Sequence, residues 1–271
     1  LADGSPARAG TRVVINPLLT CGHCDRCRAG LESVCRTRQI IGAHRPGAYA
    51  SLVAVPASHC FPLPDNVSET AGSLTEPLAC AVRAVARTGA GPGDSLLVLG
   101  AGPIGLCCVA AARAAGIDRI LISDIAQGRL DIARRWGAEA TVNAREADIV
   151  AAASQYAPGG VGFAIDAVGM QTTRDQALHA VAPGGRAVFI GLHEENATLH
   201  MNYLVRQEID IAGTFAYTPS DFAGAFDMIV SGQVAPAEDW LEERPLADGP
   251  AAFEELLAGK ARAAKIVLMV E

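Results

Sequence analysis

Four cysteines stand close together near the start of the chain. Cys21, Cys24, Cys27 and Cys35 read C-x2-C-x2-C-x7-C, in a loop rich in glycine and arginine. Thiolates are soft ligands, and four at such spacing suit a closed tetrahedral zinc site with no position open to substrate. An iron–sulfur cluster is the rival, because repeated C-x2-C spacing occurs there too. His23 lies inside the loop and is read as exposed rather than as a ligand. A second group is glycine-based. Gly100, Gly102 and Gly105 form G-x-G-x-x-G, with Pro103 and Ile104 inside it. The first glycine permits a tight turn, the second lets the backbone approach a pyrophosphate, and the third lets a helix pack against its strand. Asp124 follows 19 residues after Gly105. A carboxylate at that distance can accept hydrogen bonds from the adenosine ribose, and it disfavours the extra phosphate of NADP. Arg129 lies one helical turn further on. It could cover an adenine, or it could be an ordinary solvated arginine. Glu76 precedes Pro77 in a mostly apolar stretch. It could face a metal or its water, or it could cap the helix that Pro77 opens.

Elements must hold these groups in place. Ser95 to Leu99 is a short apolar run that suits a strand buried on both faces. A helix from about Pro103 to Ala115 would point its N-terminal N–H groups at phosphate. A second strand, Arg119 to Ser123, ends at Asp124. The alternation continues, with helices over Ala126–Trp136, Ala147–Tyr156 and Thr172–Val181. Between them lie strands at Ala140–Val142, Phe163–Ala167, Arg186–Gly191 and Ile209–Phe215. Strands alternating with helices predict an α/β fold with a doubly wound parallel sheet. Ligands then bind beyond the carboxyl ends of the strands, on a rim holding Gly100, Asp124, Val168, Gly191 and Phe215. Outside this block the pattern predicts strands at Arg12–Asn16, Tyr49–Val55 and Lys265–Val270. It predicts helices capped by Ser68 and Ser220, one opening near Glu76, and one starting at Asp248-Gly249-Pro250.

Totals narrow the function. The chain has 271 residues, is half hydrophobic, and carries a formal charge of −7 without basic clusters. That argues against nucleic acid and anionic membrane as partners. No apolar run is long enough to span a bilayer and no signal peptide is visible, so a cytoplasmic location is expected.

Together these motifs resemble the zinc-containing medium-chain alcohol dehydrogenases, most of all the sorbitol, polyol and threonine branch. The resemblance covers nearly the whole chain. It rests on the four-cysteine lobe, Glu76-Pro77-Leu78, the G-A-G-P-I-G turn, Ser123-Asp124 and the end strand Lys265-Ile266-Val267-Leu268. It implies a Rossmann domain over residues 78–217. It also implies a partial, split, GroES-like β-rich catalytic domain from residues 1–77 and 218–271. It assigns structural zinc to the four cysteines and places Glu76 beside a catalytic zinc. Ile104 would pack behind the nicotinamide, and backbone at Ile190, Leu192 and Phe215 would meet its carboxamide. Lys265 would pair with the pyrophosphate. The implied reaction is hydride transfer between NAD and a secondary alcohol, polyol or related carbonyl. A homodimer or homotetramer is implied through the strand ending at Phe215.

Members of this family carry a head before the equivalent of Leu1. That head supplies a catalytic cysteine, a Gly-His-Glu segment and a proton relay. Those residues do not occur in this sequence, so the catalytic zinc site is expected to be incomplete. Three readings follow: a piece of a working dehydrogenase, an NAD-binding relative that senses or partners without turnover, or a zinc-independent carbonyl or quinone reductase.

Overall fold

The computed structural model describes residues 1–235, 240–259, 263 and 265–270. They form two compact units, residues 80–215 and residues 1–79 with 216–271.

The first unit begins with short strands, β1 (Val13–Ile15), β2 (Leu18–Leu19), β3 (Gln39–Ile40) and β4 (Cys60–Pro62). β1 pairs antiparallel with β4, and β2 pairs antiparallel with β3. The one-turn helix α1 (Asp25–Arg28) lies in the loop between β2 and β3. Helix α2 (Glu69–Gly72) follows, and Ser68 Oγ accepts the Ala71 N–H at its start. Helix α3 (Thr75–Thr88) carries Glu76 in its first turn.

The second unit is the predicted parallel sheet. Its strands are β5 (Ser95–Leu99), β6 (Arg119–Asp124), β7 (Ala140–Asn143), β8 (Val161–Asp166), β9 (Val181–Phe189) and β10 (Asp210–Gly213). Helices α4 (Pro103–Ala114), α5 (Gln127–Arg135), α6 (Ile149–Tyr156), α7 (Gln171–Ala180) and α8 (Met201–Gln207) are interleaved. The spatial order is β10-β9-β8-β5-β6-β7, and every pairing is parallel. The order reverses between β5 and β8, the point in such sheets beyond whose carboxyl ends ligands bind. Every residue of β5 is buried, as a strand covered on both faces requires. Leu97 and Leu99 join one core with Ile149 and Ala153 of α6 and Ala177 and Leu178 of α7.

The chain returns to the first unit through α9 (Pro219–Val230), β11 (Leu241–Pro245), α10 (Gly249–Leu257) and β12 (Lys265–Met269). β11 and β12 pair in parallel. Residues 236–239, just before Trp240, lie outside the described residues.

Three local expectations need correction. Residues 49–55 form no strand. Tyr49 and Leu52 are 72% and 90% exposed, so among the described residues this alternation has no sheet to face. Helix α9 is capped by Thr218, not Ser220. Thr218 Oγ1 accepts the Asp221 N–H, and Asp221 Oδ2 accepts the Thr218 N–H at 2.8 Å, a reciprocal box. Strand β9 begins at Val181, ahead of the expected Arg186, so Gly184-Gly185 lies inside it. The pairing with β8 jumps there from Val161–Val181 to Phe163–Arg186, and Gly184 takes φ +75°. The glycines form a bulge rather than a boundary.

Candidate nucleotide cradle and cysteine centre

The cradle is built at the carboxyl ends of β5, β6, β8 and β9. Gly100 leaves β5 at φ +93°, in the region that favours glycine, and a Cβ there would lie 2.6 Å from Val168 Cγ2. Gly102 is the N-cap of α4 and has open space around it, while Pro103 takes the first helical position. A Cβ on Gly105 would stand 1.7 Å from the Gly100 carbonyl oxygen, so this helix reaches its strand only with glycine there. Ile104 is partly exposed between them. The arrangement leaves backbone and a helix N-terminus, without side chains, where a pyrophosphate would lie.

Asp124 closes β6 with its side chain 6% exposed. Its Oδ2 accepts the Ala101 N–H at 2.7 Å and its Oδ1 accepts the Ala126 N–H at 2.8 Å. The carboxylate thus fixes the glycine turn, and each oxygen keeps further lone-pair capacity for a hydroxyl. Arg129 Nη1 stands 3.9 Å from Asp124 Oδ2, on a side chain that is 47% exposed.

The opposite wall comes from β8 and β9. Val168 packs against Gly100, and Ile190 donates its N–H to the Asp166 carbonyl at 3.1 Å. Leu192 is 78% exposed and Phe215 is 36% exposed. Sequence reasoning missed Asp166. It is fully buried at the end of β8, and its Oδ1 accepts the N–H groups of Val168 and Gly169 at 2.9 and 3.0 Å. Burial pushes this carboxyl above the usual aspartate range, against the pull of those two donors. The available signal was an acid closing an apolar strand just before Ala-Val-Gly.

In the first unit the four cysteines converge. Sγ separations are 3.9 Å for Cys21–Cys27, 3.6 Å for Cys24–Cys27, 4.0 Å for Cys24–Cys35 and 3.6 Å for Cys21–Cys35. A tetrahedron with Zn–S bonds of about 2.3 Å has edges of about 3.8 Å, so the four sulfurs fit one ion. A cluster with several irons would hold them further apart. Backbone N–H groups of Arg36 and Cys27 pull the Cys24 thiol down to about 6, while burial pushes the Cys27 thiol up to about 12. The Arg36 guanidinium grips Asp25 of α1 through Nε and Nη2 at 2.6 and 2.7 Å, and it holds that carboxyl well below its usual range.

Two more expected residues also belong to the first unit. Glu76 is partly buried in α3, next to Thr75 and Pro77, both buried. Lys265 Nζ lies 3.5 Å from the Ser73 carbonyl oxygen. Among the described residues, the only His, Cys, Asp or Glu group gathered closely enough to hold a metal is the four cysteines.

Comparison with known proteins agrees with this geometry. Residues 103–231 match the sequence profile described as zinc-binding dehydrogenase, and residues 2–65 match the alcohol dehydrogenase GroES-like domain. A protein named as a probable D-xylulose reductase A, from Aspergillus clavatus, is 32% identical over 93% of this chain and 72% of its own length. The solved structure of L-idonate 5-dehydrogenase from Escherichia coli superposes with a TM-score of 0.87 at 27% identity, covering 97% of this chain and 77% of that one. A zinc-binding dehydrogenase from Sinorhizobium meliloti, solved with NADP, gives a TM-score of 0.87 at 28% identity over 98% of this chain and 78% of that one. The chain belongs to the zinc-type medium-chain alcohol dehydrogenase family.

Proposed function

We propose that this polypeptide is an NAD-binding, structural-zinc dehydrogenase polypeptide acting on a polyol or related secondary alcohol. The observation that carries the reading is the cradle at the β5–β8 reversal, with Asp124 buried at the end of β6. When bound, NAD supplies the hydride acceptor, and zinc supplies a rigid four-thiolate crosslink. The chain's own residues bind and orient. The Gly100–Gly105 turn and the α4 N-terminus take the pyrophosphate, with Gly102 letting the backbone approach and Pro103 presetting the first turn. Asp124 accepts the ribose hydroxyls and repels a 2′-phosphate, so NAD is favoured over NADP although one relative was solved with NADP. Arg129 covers the adenine side. Val168, Ile190, Leu192 and Phe215 border the nicotinamide, and Ile104 packs behind it. Glu76 serves a catalytic metal.

The polyol class is drawn from the relatives named for D-xylulose and L-idonate. A cytoplasmic location fits the absence, among the described residues, of a helix long and apolar enough to cross a membrane. A homodimer or homotetramer fits β10, a sheet-edge strand with Ile211 41% exposed. Counting zinc while titrating nucleotide tests this reading. One zinc per chain is expected, with NADH bound and NADPH weaker by about tenfold or more. A metal-free chain, or a preference for NADPH, sinks it.

A further inference from the structure

Asp166 serves two loops at once. Its side-chain Oδ1 accepts from Val168 and Gly169, and its main-chain oxygen accepts from Ile190 and Gly191 at 3.1 and 2.9 Å. Those loops meet backbone to backbone. A Cβ on Gly169 would lie 2.3 Å from the Gly191 carbonyl carbon, and one on Gly191 would lie 2.2 Å from the Val168 carbonyl carbon. Val168 in turn fills the space beside Gly100, and Ala167 donates to the Leu99 carbonyl at 3.0 Å. One buried residue therefore sets the backbone of the β8 and β9 rim and seats it against the glycine turn. The other oxygen, Oδ2, is buried without a hydrogen-bond partner among the described residues. Burial is costly for such an oxygen, so the position is held by what Oδ1 and the main chain do.

A dinucleotide crosses the sheet reversal with one half on each side. Asp124 marks the adenosine half on β6, which leaves β8 and β9 for the nicotinamide half. We propose that Asp166 is the positioning residue for the nicotinamide half of the cofactor, shaping the Val168–Gly169 and Ile190–Gly191 backbones without touching the ligand. This rests on the reading that the dinucleotide lies over the Gly100–Gly105 turn.

Calorimetric titration separates the two claims, using NADH and ADP-ribose, which lacks the nicotinamide. In the native chain both bind. In Asp166→Ala the rim loses its acceptor, so NADH weakens by about tenfold or more while ADP-ribose stays within about twofold. Asp166→Asn keeps a side-chain oxygen for Val168 and Gly169, and it returns NADH to within about threefold of native. Equal weakening of both ligands, or no weakening of NADH, overturns the proposal. Failure of the native chain to bind either ligand overturns the dinucleotide reading instead. Should Asp166→Ala not fold, hydrogen exchange on the native chain decides. Val168, Gly169, Ile190 and Gly191 amides are expected to gain protection with NADH and not with ADP-ribose, and equal protection by the two contradicts the assignment.

Discussion

At the scale of single residues, the two acids that end β6 and β8 have opposite exposure to function. Asp124 holds two backbone donors from the glycine turn and its own loop and can still accept a hydroxyl. Asp166 is buried, and burial raises its proton affinity in the fold. A carboxyl with a raised folded pKa adds stability that is fully present below the unfolded value, about 3.9, and is lost as pH rises through the folded value. The urea-unfolding stabilities of native chain and Asp166→Asn, followed upward in pH from the ordinary aspartate range, are therefore expected to converge or invert in favour of the amide as pH rises. A stability difference that does not change with pH contradicts the buried-acid account. Asp166 was not legible beforehand. A lone acid at a strand end is common, and only the fold shows that two loops hang from it. The cysteines were legible, because C-x2-C-x2-C-x7-C forces four sulfurs into one small loop. Asp124 was legible from its distance to Gly105.

At the scale of elements, the β5–turn–α4 unit depends on glycine for contact, not only for flexibility. Gly105→Ala would drive a methyl to 1.7 Å from the Gly100 carbonyl oxygen. The helix must then shift off β5, at a cost of about 3 kcal/mol. Chemical denaturation is expected to show that loss, and a change within about 0.5 kcal/mol would mean the packing is looser than described. The strands of the sheet were readable because runs such as Ser95–Leu99 are buried on both faces and carry no polar alternation. Residues 49–55 misled because alternation signals a strand only when another strand is there to pair with it. Thr218 was overlooked in favour of Ser220 because the reciprocal bond to Asp221 depends on local geometry. The strand expected from Arg186 begins earlier, at Val181, because a glycine pair can form a bulge inside a strand as well as a turn before it.

At the scale of the whole molecule, β10 is the edge of the six-stranded sheet, paired on one side with β9. In the homodimer or homotetramer proposed above, a second copy would pair along this edge, where Ile211 is exposed, about a two-fold axis. Ile211→Lys places charge on that edge and is expected to shift the chain toward monomer by light scattering, leaving NADH binding in place. An unchanged mass assigns association to another surface.

The most direct test of the account is NADH affinity in Asp124→Ala, measured by calorimetry beside the native chain, with the melting temperature recorded for both. The carboxylate is expected to contribute about 2 kcal/mol to holding the adenosine ribose, so affinity falls by about thirtyfold. If the variant melts like the native chain and binds NADH equally well, the nucleotide does not lie over the Gly100–Gly105 turn, and the account is wrong.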